Sequence, residues 1–481
     1  MSEVQETRPR PETLREHLKQ VQDMLRKHRL VEHLVHSQDM PRHELVESLV
    51  HKQNLAELRK KLDVLHPADV AYILESVPLA ERRVVWDLVK ADRDGEILLE
   101  VSDAVRESLI ASMAPQELVA AAEHLDTDEL ADLAPDLPGN VLEDVFRSLS
   151  VEERQQLRAA MSYPEDSVGA LMDFDMVTVR EDVTLEVVLR YLRRLDELPD
   201  HTDQLFVVDR DEKLKGRLPV NRLLVSDPER LVGELMDTDV VRFTPQQNAD
   251  EAAQAFERYD LVSAPVVDAS EALVGRVTVD VMVDFIRSES ETEVLNLAGL
   301  REEEDIFASV WKSAKNRWTW LAINLVTAFV ASRVIGLFEG SIEKLVALAA
   351  LMPIVAGIGG NSGNQTITMI VRAMALGQIT PRNARGLLKK ELVISLLNGL
   401  VWGSIFGVFA TVLYHSIPLG LVMMAAMALN LIVAASFGVF IPMVLHRFGR
   451  DPAVGSSVLI TAITDSGGFF IFLGLATLFL V

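Results

Sequence analysis

The hydrophobic rhythm of the chain changes three times. From about residue 21 to Met161, apolar positions recur at helical spacing in short runs, with Pro or Asp near many starts. HPADVAYILESV from His66, APQELVAAAEHL from Ala114 and DTDELADLAPDL from Asp126 are examples. Such punctuation predicts short amphipathic helices stacked like a small solenoid. Residues 1 to about 20 are polar and contain Pro and Arg, which predicts a flexible N-terminus. Between Leu171 and about Arg287 the texture becomes an internal repeat. Leu171-Met172-Asp173 returns as Leu235-Met236-Asp237, and QLFVVDRDEKLKGRLPV from Gln204 returns as SAPVVDASEALVGRVTV from Ser263. Each copy reads strand, helix, strand, turn, strand, helix. Residues 287–311 read as an acidic helical linker whose Glu289, Glu291 and Glu293 are expected to face solvent. It runs into a collar of Trp311, Lys312, Lys315, Arg317, Trp318 and Trp320, the composition of a bilayer entry point. Five apolar runs follow, at about 318–338, 345–371, 392–414, 420–445 and 453–481; ~20 apolar residues suffice to span a bilayer.

The expected fold is therefore multidomain: an all-α cytosolic N domain (21–161), an α+β repeat pair (162–287), a linker helix (288–311) and an all-α membrane domain of five transmembrane helices (312–481). The repeat resembles a tandem CBS-domain pair, a module that commonly senses adenosine nucleotides or metal ions. In that family the last helix of each repeat usually opens with Ser/Thr-x-x-Asp. Here Pro219-Val220-Asn221-Arg222 and Thr278-Val279-Asp280-Val281 replace the acids by Arg222 and Val281. Conventional nucleotide binding to the CBS pair is therefore not expected, nor is the simplest form of cation sensing there.

Charge sharpens the division. The net charge of −24 hides about +7 from Ile306 onward and about −31 before it. So acidic a front argues against nucleic-acid partners, which need basic patches. The absence of cysteine removes disulfides, thiolate metal sites and cysteine nucleophiles. The first residues hold no apolar run, so no secretory signal is read there. Lys312, Lys315, Arg317, Arg372, Arg382, Arg385, Lys389, Lys390, Arg447 and Arg450 fall on one side of the apolar runs, with Arg333 and Lys344 on the other. The positive-inside rule then predicts a multi-pass protein of the cell (inner) membrane with a cytoplasmic N-terminus and an outside C-terminus.

The chemistry concentrates in the apolar part. Asp465 is the only ionisable residue of the last run, and a carboxylate in hydrocarbon costs roughly 2.5–3.5 kcal/mol unless it faces protein or water. Ser466-Gly467-Gly468 follows it and is expected to loosen the helix. A structural cap would explain Asp465 too, although Ser or Asn caps with less desolvation. The second run carries Pro353 and GIGGNSGNQ from Gly357. Small residues there serve helix packing, but Asn361, Asn364 and Gln365 add oxygen ligands, and freed carbonyls would add more. Hard oxygens beside a carboxylate suit Mg²⁺, which dehydrates reluctantly. Two copies of Asp465 from two subunits would fit a dication on a shared axis. In the N domain, Asp128 and Asp132 share a helix face at i, i+4 and repel one another; a solvated surface or a facing cation would both relieve this.

The order of domains, with GIGGNSGNQ and DPAVGSSVLITAITDSGGF, resembles the MgtE family of magnesium channels over nearly the whole chain. The resemblance implies a homodimer in the lipid bilayer, conducting Mg²⁺ and closed by cytosolic Mg²⁺ through the linker ("plug") helix, so that Mg²⁺ is both transported ion and possible regulator. It implies Asp465 as the carboxylate holding the hydrated ion, with Asn364, the carbonyls of Gly357 and Gly360, Thr461 and Ser457 lining the path. Glu343 falls at the outer mouth and Asp451 at the inner one. Asp128, Asp132, Asp284 and Glu289 match acids of the gating sites. No Walker motif, pump-type Asp motif or nucleophile set argues for an enzyme. Three alternatives remain: a broader divalent-cation (Mn²⁺, Co²⁺) transporter, a proton- or sodium-coupled secondary transporter, and a membrane-tethered receptor.

Overall fold

The computed structural model describes residues 11–36, 55–195, 197–300, 305–375, 378–379, 383–448, 450–452 and 455–481. The expectation of flexibility for residues 1–10, and the topological placing of Arg382, lie outside them. The chain divides into two compact units, Met1–Ser288 with Glu303–Ala308, and Glu289–Glu302 with Ser309–Val481.

The first unit opens with a helix, Pro11–His36, which corrects the expectation of a flexible segment to residue 20. Leu14, Leu18, Val21 and Leu25 form one apolar stripe, and Val21 and Leu25 are buried in the core of the helical array. The array itself follows the punctuation of the sequence: Pro67–Glu75, Leu79–Trp86, Asp94–Glu100, Asp103–Ile110, Pro115–Ala122, Thr127–Leu133, Gly139–Ser148 and Val151–Ala160. Its helices join through a device used twice. Arg82 Nε donates to the Leu74 carbonyl at 2.8 Å, and Arg106 Nε to the Leu98 carbonyl at 2.7 Å. Each buried guanidinium thus satisfies a carbonyl near the end of an earlier helix, where intrahelical donors run out.

The repeat pair forms two small sheets. Strands β1 (Thr178–Arg180), β2 (Gln204–Val208) and β3 (Leu214–Pro219) pair in that order, parallel then antiparallel; β4 (Ser263–Val267) and β5 (Leu273–Thr278) pair antiparallel. The strand expected at the start of the second copy is reduced to a bridge: Phe243 N–H donates to the Pro265 carbonyl and its carbonyl accepts from Val267. Each Leu-Met-Asp segment docks on the other copy's strand. Asp173 bridges to Arg276 and Asp237 to Arg217 through paired backbone hydrogen bonds. Glycine is required beside both: a Cβ on Gly216 would stand 2.4 Å from the Asp237 carbonyl oxygen, and one on Gly275 2.3 Å from Met172.

The linker is not a separate helix. The final helix of the second copy runs unbroken over Val279–Ala298 and stops where Gly299 takes φ 76°, a conformation that costs glycine least. In the second unit Ser309 caps the first of five long helices, Val310–Gly336, Ala347–Ala375, Ala384–Tyr414, Ile417–Arg447 and Ser456–Phe479. Four of them are long and apolar enough to cross a membrane; Ala347–Ala375 is diluted by its Gly/Asn run. Gly399, Gly403 and Gly407 let Ala384–Tyr414 lie directly on Ile417–Arg447, meeting Ala428, Met424 and Gly420.

Candidate functional site

The helices bearing the two membrane motifs, Ala347–Ala375 and Ser456–Phe479, pack against each other. Glycines set their approach: a Cβ on Gly363 would stand 2.4 Å from Ile460, and one on Gly360 3.6 Å from the Thr464 hydroxyl. Away from that contact each helix shows a polar stripe. On the first, Gly357, Asn361, Gln365 and Thr368 are exposed and Asn364 half-buried; on the second, Thr461 is exposed and Ser457 and Asp465 half-buried. A Cβ on Gly357 or Gly467 would meet nothing within 4 Å. Neither helix breaks. The expected loosening after Asp465 and the freed carbonyls at Gly357 and Gly360 are absent: both helices run unbroken through these glycines. Thr461 donates to the Ser457 carbonyl at 2.8 Å within its own helix. Glu343 is exposed at the end of the short helix Glu339–Lys344. Asp451 accepts from Asn296 Nδ2 at 3.1 Å, which ties the linker helix to the loop before Ser456–Phe479.

Sequence reasoning passed over two buried polar side chains in this unit. Asn430 is 0% exposed and donates through Nδ2 to the Val355 carbonyl at 2.9 Å. Glu391 is buried beside the Thr366 hydroxyl, at 3.5 Å. Asn430 sits inside an apolar run, where a lone polar letter is the available signal; Glu391 directly precedes one, next to Lys389 and Lys390.

In the first unit, carboxylates of the helical array lie near carboxylates of the repeat pair. Burial, reinforced by the Asp173 charge, pushes Asp128 up to about 7. Burial raises Asp126, with Asp175 and Asp200 adding to it, and raises Glu129. Asp132, exposed at its tip, is raised by partial desolvation, opposed by Arg106 at 3.6 Å and pushed further by Asp103, Asp136 and Asp284. Glu100 is raised by burial and by Asp284, and Asp284 itself by burial. Glu289 is exposed. Arginines already occupy part of this landscape: Arg276 pairs with Asp173 at 2.7 Å, and Arg222 with Asp237 at 2.7 Å and the Leu235 carbonyl at 2.6 Å. Among the described residues no three His, Asp or Glu side chains come together as a ready metal cluster.

Asp94, almost fully buried, is raised to about 6 by burial and by Glu117 and Asp92. Its folded value lies above its unfolded one, so its contribution to stability is complete below about pH 3.8 and is lost as pH rises through about 6. Asp94→Asn is expected to stabilise the helical array by about 2–3 kcal/mol at pH 8 and by almost nothing at pH 4. Urea unfolding at the two pH values checks this; an equal effect at both contradicts it.

Comparison with known proteins places these features in one class. A family model described as a divalent cation transporter, MgtE, matches residues 352–475. The MgtE intracellular N domain matches 65–166, and CBS domains match 168–226 and 232–288. Magnesium transporter MgtE of Thermus thermophilus is 32% identical over 433 residues, covering 88% of this chain and 95% of that one. Its namesake in Bacillus subtilis is 27% identical over 424 residues, covering 88% and 94%. Among solved structures, the cytosolic domain of the Mg²⁺ channel MgtE in complex with ATP is 31% identical, with TM-score 0.45, covering 50% of this chain and 98% of that one. A helical intracellular domain, a CBS pair and several apolar helices thus define a membrane transporter rather than an enzyme. The chain belongs to the MgtE family. That relative's cytosolic domain was solved with ATP bound, in contrast to what Arg222 and Val281 lead one to expect of the CBS pair here.

Proposed function

We propose that this protein is a Mg²⁺-selective channel that admits Mg²⁺ to the cytosol down its electrochemical gradient, as a homodimer gated by its cytosolic domains. The observation that carries this reading is the pair of polar stripes on otherwise apolar helices, Gly357-Asn361-Asn364-Gln365-Thr368 and Ser457-Thr461-Asp465. Polar faces in hydrocarbon need water or a like face against them, and a second copy supplies one. Asp465 from each protomer then faces a hydrated Mg²⁺, holding its water shell by charge-assisted hydrogen bonds rather than stripping it. Amide and hydroxyl oxygens of Asn364, Ser457 and Thr461 complete the wall, with Glu343 at the outer and Asp451 at the inner mouth. The N-terminus is cytoplasmic and the C-terminus outside, as the basic residues require. Each 100 mV of inside-negative potential then contributes about 4.6 kcal/mol to entry of the dication.

Gating follows from the acids between helical array and repeat pair. Raised carboxylates facing one another favour any dication that neutralises them, so cytosolic Mg²⁺ at Asp128, Asp132, Asp284 and Glu289 draws the domains together and closes the path through the helix 279–298. Arg222 and Arg276 already neutralise Asp237 and Asp173, so closure by Mg²⁺ is weaker here than with acids at 222 and 281; full closure at millimolar cytosolic Mg²⁺ would contradict this. A broader divalent-cation transporter, passing Mn²⁺ or Co²⁺, is the second reading, favoured by a donor set of oxygens that also suits Mn²⁺. Proton or sodium coupling leaned on a broken helix, and both helices are continuous.

The chain has no cysteine, so single cysteines test the stripes directly. Cysteine at 357, 361, 365 or 368 is expected to react with a charged, water-soluble thiol reagent and to lose Mg²⁺ flux on modification. Cysteine at the exposed apolar position Met369 is expected not to react. Uniform reactivity, or none at all four, overturns the shared aqueous path.

A further inference from the structure

Asn430 stands in the middle of Ile417–Arg447, wholly removed from solvent. Its Nδ2 donates to the Val355 carbonyl of Ala347–Ala375, while its Oδ1 has no partner. An unsatisfied buried acceptor costs about 1–3 kcal/mol, and an apolar side chain would avoid that cost. Stability therefore gives no reason for an amide here.

The neighbours show that the space is shaped around it. A Cβ added to Gly359 would lie 2.2 Å from Asn430 Nδ2, and one on Gly468 2.7 Å from the same atom. Gly359 belongs to Ala347–Ala375 and Gly468 to Ser456–Phe479, so one side chain wedges between both helices of the proposed ion path. Gly468 lies one turn beyond Asp465. Gly359 adjoins Gly360, which faces Thr464, the neighbour of Asp465. The hydrogen bond to Val355 fixes axial register on one helix, and the close approach to Gly468 fixes depth on the other.

We infer that Asn430 is a positioning residue: it pins the helix of Asp465 against the helix of Asn364 and so sets where the ion's carboxylate stands, and with it the discrimination between divalent cations. The inference rests on Asp465 as the ion's carboxylate. A hydrated ion is recognised at a distance set by water, so displacement of one wall alters the ranking of ions with different hydration shells before it prevents passage.

The test is flux of Mg²⁺ and Mn²⁺ into proteoliposomes carrying the full-length protein, for wild type, Asn430→Leu, Asn430→Ala, Gly359→Ala, Asn430→Ala/Gly359→Ala and Asp465→Asn, at equal reconstituted amounts. Asn430→Leu keeps the branched skeleton and removes the hydrogen bond, and is expected to elute like wild type while its Mg²⁺/Mn²⁺ flux ratio changes at least about threefold. Gly359→Ala is expected to lose flux about tenfold, because its methyl meets the amide. Added to Asn430→Ala, which opens that space, the same methyl is expected to cost nothing further. Wild-type flux ratios in Asn430→Leu overturn the inference, as does a full further loss on adding Gly359→Ala to Asn430→Ala. If Asp465→Asn is inactive while Asn430→Leu is unchanged, the pin falls and the ion site stands. If Asp465→Asn conducts like wild type, both fall.

Discussion

Mg²⁺ entry is expected to fall about tenfold or more in Asp465→Asn, with folding and reconstitution unchanged. The asparagine keeps shape and hydrogen-bonding atoms and removes one negative charge per protomer. A dication about 5 Å from a carboxylate gains about 2 kcal/mol at the dielectric of water and about 7 kcal/mol at an effective value near 20. Every 1.4 kcal/mol is a factor of ten in occupancy, so even the aqueous limit predicts a measurable loss. The half-buried placing of Asp465 puts the real value between those limits. Flux into proteoliposomes under an imposed inside-negative potential measures it, with and without millimolar Mg²⁺ on the cytosolic face. Undiminished flux would move the ion site elsewhere. Loss of flux in the mutant, with incomplete inhibition of wild type by inner Mg²⁺, is the result expected from the arginines at 222 and 276.

The second large effect lies far from the ion. Arg82 is 0% exposed, and its guanidinium meets Asp305 in a fork at 2.7 and 3.0 Å. Asp305 also accepts from the Phe307 amide at 2.9 Å, so its loop is shaped to present the carboxylate. Asp305→Ala leaves that cation buried against only the Leu74 carbonyl and the Ser108 hydroxyl. Loss of one member of a buried pair costs about 3–5 kcal/mol, whereas replacing both by apolar groups is often close to neutral. Asp305→Ala is therefore expected to destabilise the first unit by about 3 kcal/mol or more, and Arg82→Met with Asp305→Ala to recover most of it. Urea unfolding of the full-length protein in detergent, followed by a tryptophan signal, decides it. A cost below about 1 kcal/mol would mean that the pair is solvated. Asp305 lies four residues before Ser309, the cap of the first apolar helix. The pair thus also anchors the chain just before that helix begins.

Much of this was legible in the residues because it is periodic or local. The repeat of Leu-Met-Asp marks two copies of one module, apolar runs mark five long helices, and a single Asp in the last run marks a carboxylate that hydrocarbon would not tolerate without a purpose. Helix starts could be read from Pro and acids because caps act within one turn. Where local cues competed, reading failed. Polar residues 11–20 concealed a helix whose apolar stripe becomes visible only against the core it covers. The Gly-rich runs near 357 and 467 read as breaks because glycine favours coil in isolation, yet both helices continue through them, with Gly359, Gly363 and Gly468 packed closely and Gly357 and Gly467 facing open space. The bond from Asn430 to Val355 spans 75 residues and the Arg82–Asp305 pair 223. Neither has a periodicity, a cap or a motif to announce it. Sequence determined which segments become helix, strand and membrane span, because backbone geometry and burial impose their periods residue by residue. Tertiary structure decided which polar groups meet, because a partner is chosen by the packing of whole elements and not by spacing along the chain.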